Sequence, residues 1–367
     1  MTVTTTTSAL PAHHWSGMLY AADLTPRLGV VIVNQRSTDD TIECLESLLR
    51  TSLPMRIVVV DSAHDGGSAD AIRAWAAGTR PAKPAALAMA ALSSPPVRKP
   101  VPLVVAAADA IGAAAGTGPV PALTLIQSAG TADLAGRRNL GLRYLLGDPQ
   151  LAAFWLLSND TVVTANAPAA LLARMAADPL IGMCGTIVRH YFAPDRFEAL
   201  NGSAFSLLTG RARPLGGEAP ATTSFDPAMI ADATDFVSGA SLAASRDFIE
   251  RVGLMSEESG PFFAELDWAT RNRRLGSAAF AIGFAHGATI YHKAAPIDGP
   301  DSDARSRSVF CDYWQTRSRL GHVWRFHRLW WPWHWLLGWG RFLRRLVRRQ
   351  GARAGAIARA QLGRRLP

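Results

Sequence analysis

The sequence predicts an α/β fold: a mostly parallel sheet covered by helices on both faces. Three observations predict it. Leu28–Val33 and Arg56–Val60 are short, continuous, β-branched runs, the pattern of strands buried on both faces. Between them Ile42, Leu45, Leu48 and Leu49 recur at helical spacing. Each run stops at a polar residue, Asn34 or Asp61, and parallel strands gather such ends on one edge, where ligands bind.

The elements follow in order. Ser37-Thr38-Asp39-Asp40 supplies N-cap choices for the first helix, and Pro54 stops it. After Asp61, Ser62–Ser68 is a polar loop and Ala69–Ala77 a second helix. Residues 79–122 break the pattern with Ala, Pro and Gly and read as a low-complexity insert, partly disordered or loosely helical. Val101–Ala107 is a candidate short strand or helix within it. Leu123–Gln127 is the next strand, and a helix runs from Arg137 to Leu146. Ala153–Leu157 is a further buried strand that delivers Ser158-Asn159-Asp160. Ala167–Ala176 is a helix with Pro168 in its first turn, and Met183–Val188 a strand. Residues 190–232 read as loops with a hairpin. Beyond Asp235–Leu242, a helix from Ser245 or Arg246 to Val252 is capped by Gly253. Phe262–Trp268 leads into a basic helix, Ala269–Leu275. Ala278–Ile282 and Ala288–Tyr291 are two short strands, the second followed by His292-Lys293.

Composition sets limits. Hydrophobic residues make up 49% of the chain, enough for a large core. Cys44, Cys184 and Cys311 are odd in number and widely spaced, so neither a disulfide framework nor a metal knuckle is expected, and a reducing compartment fits. Met1–Ser16 has no basic-then-apolar pattern of a signal peptide, and no run reaches the ~18 apolar residues of a spanning helix. The net charge of +9 is local: residues 313–367 hold thirteen Arg and no acid, which leaves 1–312 at −4 (+9 less 13). The same tail holds seven of the eleven Trp. Trp335, Trp339, Phe342, Leu343 and Leu346 recur at helical spacing, with Arg341, Arg344, Arg345, Arg348 and Arg349 on the other side. That pattern predicts an amphipathic helix lying on an anionic membrane surface through 329–349. A helix packed on the catalytic body, or a dimer contact, is the alternative. No nucleic-acid module accompanies the charge, so nucleic acid is not an expected partner.

Asp61, Asp160, Glu265/Asp267 and His292 are the candidate chemistry. An acid after a strand is commonly a turn residue, and Glu265 and Asp267 also suit a helix start facing Arg271, Arg273 and Arg274. Their order decides. Val30–Asn34, Ile57–Asp61, Gly136–Gly141, Leu157–Asp160, Asp235–Leu242, Phe263–Trp268 and Tyr291–Lys293 resemble, in sequence order, the motifs of family 2 glycosyltransferases, in the bacterial rhamnosyltransferase-like branch. The resemblance spans roughly residues 28–320 without the insert.

The resemblance implies a GT-A fold and inverting transfer from a nucleotide-diphosphate sugar to a saccharide or polyprenyl-linked acceptor, in cell-surface polysaccharide assembly. It implies that Glu265 is the base, with Asp267 second, because Ala264 stands where the family's first acid would be. Asp160 and His292 would hold Mg²⁺ or Mn²⁺, although Ser158-Asn159-Asp160 keeps one carboxylate of the usual Asp-x-Asp. Asn34, Asp61, Arg137, Arg138, Asn139, Asn159 and Arg317 would line the nucleotide sugar. Arg137 and Arg138 replace small residues of the family pattern, and a solvated helix face is the plainer reading of both. The expected organisation is an N-terminal extension (1–27), a GT-A domain (28–312, with the 79–122 insert) and a membrane-associating tail (313–367). A cytoplasmic enzyme peripheral at the inner face of the plasma membrane follows. A non-catalytic nucleotide-sugar-binding or membrane scaffold of the same fold is the alternative. A nucleotidyltransferase would need a Gly/Arg/Lys-rich triphosphate loop after the first strand, which Asn34–Asp40 does not supply.

Overall fold

The computed structural model describes residues 27–34, 37–62, 67–83, 85–108, 122–128, 133–293 and 303–366. Nearly all of the N-terminal extension therefore lies outside the described residues.

β1 (Leu28–Asn34) and β2 (Met55–Asp61) pair in parallel along their whole length, ending at Asn34 opposite Asp61. α1 (Thr38–Leu49) joins them, its first turn held by the Ser37 hydroxyl, which accepts from the Asp40 N–H at 3.2 Å. α2 (Gly67–Ala77) follows. The insert then contributes more order than expected. It forms a 3₁₀ turn (Leu87–Met89), α3 (Ala90–Ser93) and β3 (Val104–Ala107), which adds a parallel edge strand to β4 (Leu123–Gln127). The reason is Glu46, a buried carboxylate on α1. It accepts from Trp75 Nε1 (2.8 Å), the Val97 N–H (2.6 Å) and Lys99 Nζ (3.0 Å), so the insert supplies two of the partners that make its burial tolerable. Residues 109–121 lie outside the described residues.

α4 (Leu134–Leu146) begins three residues earlier than expected, because Asp133 caps it through the Gly136 N–H. Then come β5 (Ala153–Ser158), β6 (Thr161–Val163), α5 (Ala167–Ala176) and β7 (Ile181–His190). Residues 190–232, read as loops with a hairpin, hold β8 (Phe197–Leu200), the hairpin β9 (Gly202–Ser206) and β10 (Arg211–Pro214), and α6 (Pro227–Ala233). β9, β10 and β11 (Phe236–Val237) form a small antiparallel sheet. β12 (Ser241–Ser245) leads into α7 (Arg246–Val252), whose Ser245 cap and Gly253 stop (φ 85°) are as expected.

α8 runs over Ala264–Arg273, so Glu265 and Asp267 sit inside its first turn rather than before it. The two short strands are one, β13 (Ala281–His292), continuous across an irregularity between Ala285 and Thr289.

The main sheet runs β3-β4-β2-β1-β5-β12-β7-β13-β6, with β8 on β7. β12 is antiparallel to both neighbours and β6 to β13; the remaining pairs along that path are parallel. Alternate strand residues divide the core. Val30, Ile32, Ile57 and Val59 pack with α1, α2 and α5, while Val31, Val33, Val58 and Val60 pack with α4, α7 and α8. α4 lies so close to β1 that a Cβ at Gly141 would sit 2.5 Å from Val31 Cγ1. This is the α/β class predicted, with the doubly covered, mostly parallel sheet expected of a GT-A fold.

The tail forms α9 (Asp303–Phe326), α10 (Trp331–Val347) and α11 (Gly351–Gln361). They pack on each other and on the body: Asp312 accepts from Arg345 (3.0 Å) and Arg353 (2.6 Å), and Trp333 Nε1 donates to the Leu208 carbonyl (2.8 Å). The amphipathic pattern of α10 is corrected in part. Arg341 and Arg345 turn inward, to the Thr209 carbonyl and Asp312. The outward face carries Trp333, Leu336, Leu343 and Val347, with Arg344, Arg348 and Arg349 also exposed. Among the described residues no helix is long and apolar enough to cross a membrane.

Candidate active site

Parallel pairing puts the ends of β2, β1 and β5 side by side, and their polar residues form one chain of hydrogen bonds. Asp61 accepts from Asn34 Nδ2 (2.8 Å) and from the Ser68 hydroxyl (2.7 and 2.8 Å). Asn34 Oδ1 accepts from the Thr41 hydroxyl (2.7 Å), which accepts in turn from Asn159 Nδ2 (3.0 Å). Asn34 and Asp61 are buried, so this chain fixes the shape of the sheet edge.

Next to it lies Asp160. It accepts from the Ser158 hydroxyl (2.5 Å), and its Oδ1 is 3.2 Å from His292 Nε2 at the end of β13. The other ring nitrogen, Nδ1, faces Glu198 on β8 (2.9 Å). Burial pushes the Asp160 carboxyl up, but the His292 hydrogen bond and charge, with Ser158, outweigh it and hold it down at about 2. Burial disfavours the charged imidazole too, yet Asp160 and Glu198 raise His292 to about 10. Lys293, the next residue, is clasped by Asp40 and Glu43 and lies 4.8 Å over the Tyr191 ring, tying the end of β13 to α1.

Among the described residues no group of three or more His, Cys, Asp or Glu is placed to hold a metal. Asp160 and, once its Nε2 proton is displaced, His292 would each supply one donor to a cation. Glu198 on Nδ1 leaves Nε2 directed at Asp160, the orientation a carboxylate gives to a metal-binding imidazole.

Glu265 reaches the same region from α8. Arg138 Nη1 donates to its Oε1 (2.7 Å), and Arg138 Nη2 to the Gly239 carbonyl (2.6 Å). A Cβ at residue 239 would overlap Glu265 Oε1, so glycine is what admits the carboxylate. The neighbouring Ala240 carbonyl accepts from the Ser158 N–H (3.0 Å), so one turn bridges Glu265 to the end of β5.

No family model matches the chain, and no curated protein matches it. Among solved structures it is similar to the mannosyltransferase PcManGT from Pyrobaculum calidifontis in complex with GDP-Man and Mn²⁺, at 16% identity over 93% of this chain and 77% of that one, TM-score 0.49. It is also similar to GalNAc-T7 with UDP, GalNAc and Mn²⁺, at 12% identity over 81% of this chain, TM-score 0.47; the match spans 51% of that chain, about half its length.

The other residues singled out in the sequence have surroundings of their own. Asp267 is two residues, about 200° of helix, past Glu265. It is buried and bonded to Arg271 Nε (2.9 Å) and Arg325 Nη1 (3.1 Å), which makes it a fastener between α8 and α9. Asn139 is spent on the chain after α7: its amide donates to the Met255 carbonyl and Glu257 (2.9 Å each) and accepts from the Met255 N–H (3.0 Å). Arg137 is half-buried, its Nε without a partner among the described residues, and burial lowers its pKa against the opposing pull of Asp133. Arg317 is exposed on α9, where with Trp314, Arg325 and Arg328 it lines a cavity of about 650 Å³. Sequence reasoning missed Glu198, Ser158 as a partner of Asp160, and Arg138 as the partner of Glu265. The pairing of Leu200 with Ile187, which sets Glu198 beside β13, has no local signal in a four-residue strand.

Proposed function

We propose that the chain is an inverting glycosyltransferase moving a sugar from a nucleotide-diphosphate sugar to a saccharide or polyprenyl-linked acceptor, in cell-surface polysaccharide assembly. The observation that carries this reading is the single turn, Gly239–Ala240, that sets Glu265 against the strand end bearing Asp160. One carboxylate placed to take a proton is what an inverting displacement needs from its base. Arg138 holds Oε1 of Glu265, and Oε2, which has no partner among the described residues, accepts the proton of the acceptor hydroxyl. Asn34, Asp61 and Asn159 shape the edge that receives the nucleotide. Asp160 and His292 would hold Mg²⁺ or Mn²⁺, which when bound neutralises charge on the departing diphosphate. Release of nucleoside diphosphate across a panel of sugar donors, with and without Mn²⁺, tests the reading. Donor binding without turnover on every donor and acceptor tried would replace it with the scaffold reading.

Glu198 gives a sharper test of the cation site. Glu198→Gln is expected to weaken Mn²⁺ binding in the presence of nucleoside diphosphate about 10–100-fold by calorimetry, because it removes the charge that orients His292. Equal Mn²⁺ affinity in both proteins would remove His292 from the site.

We also propose that the tail seats the protein peripherally on an anionic inner membrane face. Leu329, Trp333, Leu336, Leu343 and Val347 follow helical spacing along one exposed face, with exposures of 96, 43, 57, 58 and 85%. Replacing Trp333, Leu336, Leu343 and Val347 together by Gln is expected to cut co-flotation with phosphatidylglycerol vesicles at least about tenfold, since each buried side chain contributes about 1.5–3 kcal/mol. Flotation equal to that of the unaltered chain would exclude this face as the seat.

A further inference from the structure

The tail helices close a second cavity, of about 410 Å³, against the small sheet. One wall is apolar: Phe205, Phe236, Phe262, Phe263 and Leu266. The other is cationic: Arg211 from β10, and Arg341, Arg344 and Arg345 from α10. The one carboxylate among the lining residues is Asp312, and it is already bonded to Arg345 and Arg353. Arg341 Nη2 donates to the Thr209 carbonyl (3.1 Å). The guanidinium groups of Arg211 and Arg344 make no hydrogen bond or ion pair among the described residues.

Behind this wall stands Arg319, fully buried (0% exposed). Among the described residues its Nε and Nη1 have no partner, and Nη2 reaches only the His334 carbonyl at 3.4 Å. It lies one turn along α9 from Gln315 and Thr316, which line the cavity. Gly210, also lining it, is packed against Arg319 so closely that a Cβ there would sit 2.6 Å from Cδ. Burial, then Arg341, pushes the guanidinium of Arg319 down to about 9; burial, then Arg211 and Arg344, pushes Arg341 down to about 10. A buried guanidinium without an anion is costly, and clustering more of them beside it raises the cost. A bound anion removes that cost. Guanidinium forks suit phosphate oxygens in particular, because they meet them with paired, parallel N–H groups.

We propose that this cavity binds a terminal phosphate or diphosphate group, gripped by Arg211, Arg341 and Arg344, with the organic part of the ligand lying on the phenylalanine wall. Arg319 supplies positive charge from behind. The site does not rest on the transfer reaction, since none of its cations belongs to the strand-end cluster. Its ligand comes either from a phosphomonoester lipid at the membrane face or from a soluble phosphate ester.

The test uses the full chain in EDTA, which silences metal-dependent nucleotide binding. Inorganic pyrophosphate is titrated by calorimetry and its effect on melting recorded. Pyrophosphate is expected to bind and to raise the melting temperature, and Arg211→Gln with Arg341→Gln is expected to weaken binding at least about tenfold. Arg319→Met is expected to melt above the unaltered chain without ligand, and to show a smaller rise with it. Should that variant fail to fold, the Arg211/Arg341 pair decides alone. No binding, or equal binding to the unaltered and doubly altered chains, overturns the proposal. A second arm compares phosphatidylcholine vesicles carrying phosphatidic acid with charge-matched phosphatidylglycerol vesicles. Tighter binding to phosphatidic acid that is lost in the double variant assigns a lipid source. Pyrophosphate binding with no such preference assigns a soluble phosphate ester.

Discussion

Replacing Glu265 by Gln is expected to lower turnover about 10²–10⁴-fold while leaving donor binding unchanged. The amide oxygen of Gln can still accept from Arg138 Nη1, so the side chain keeps its place beside Gly239 and loses only its proton affinity. Arg138 is buried and would lose its counter-charge, so a melting curve belongs beside the kinetics. A fall in kcat with donor Kd held is the expected result, together with a lower melting temperature from the unpaired Arg138. Unchanged turnover would remove Glu265 from the chemistry.

Asp267→Asn is expected to act on stability rather than on chemistry. The Asp267 carboxylate is 2% exposed and carries two charge-assisted bonds, to Arg271 and Arg325. Breaking a buried ion pair costs about 3–5 kcal/mol, and the half-exposed Arg325 argues for the lower end. Denaturant unfolding should therefore show a loss of about 3 kcal/mol, with kcat per folded molecule close to that of the unaltered chain. A variant that melts normally but loses turnover as Glu265→Gln does would move the base assignment to Asp267. The two substitutions thus separate a pair of acids that sequence spacing alone presents as equals.

Local signals carried the strands and several helix ends. β1, β2, β4 and β5 were legible as apolar runs, and α7 was legible from Ser245 and Gly253, because caps and buried runs are short-range patterns. α8 was misplaced because its N-cap position is Phe263, which offers no side-chain bond to announce a helix. β13 was split because Ala285–Ala288 weakens the pattern where the strand is irregular but unbroken. The site residues were legible as candidates, since acids and histidines at strand ends stand out. Their partners were not. Arg138 meets Glu265 across 127 residues and His292 meets Glu198 across 94, and no periodicity reports such pairings. The inward turn of Arg341 and Arg345 was hidden for the same reason: their acceptors, Thr209 and Asp312, are set by how the tail folds back.

That fold-back has a practical consequence for anyone wishing to separate the sheet body from the tail helices. α9 is a single helix from Asp303 to Phe326, and its last turns bury Val323 and bring Arg325 to Asp267. The Phe326 carbonyl also receives Arg274 Nη2 from the end of α8. A chain shortened after Leu320 would thus discard a supporting beam of α8 together with the exposed apolar face of α10. The tail and the helix that carries Glu265 are inherited as one unit, and a version with an altered tail surface is better reached by recolouring the outer face of α10 than by cutting the chain.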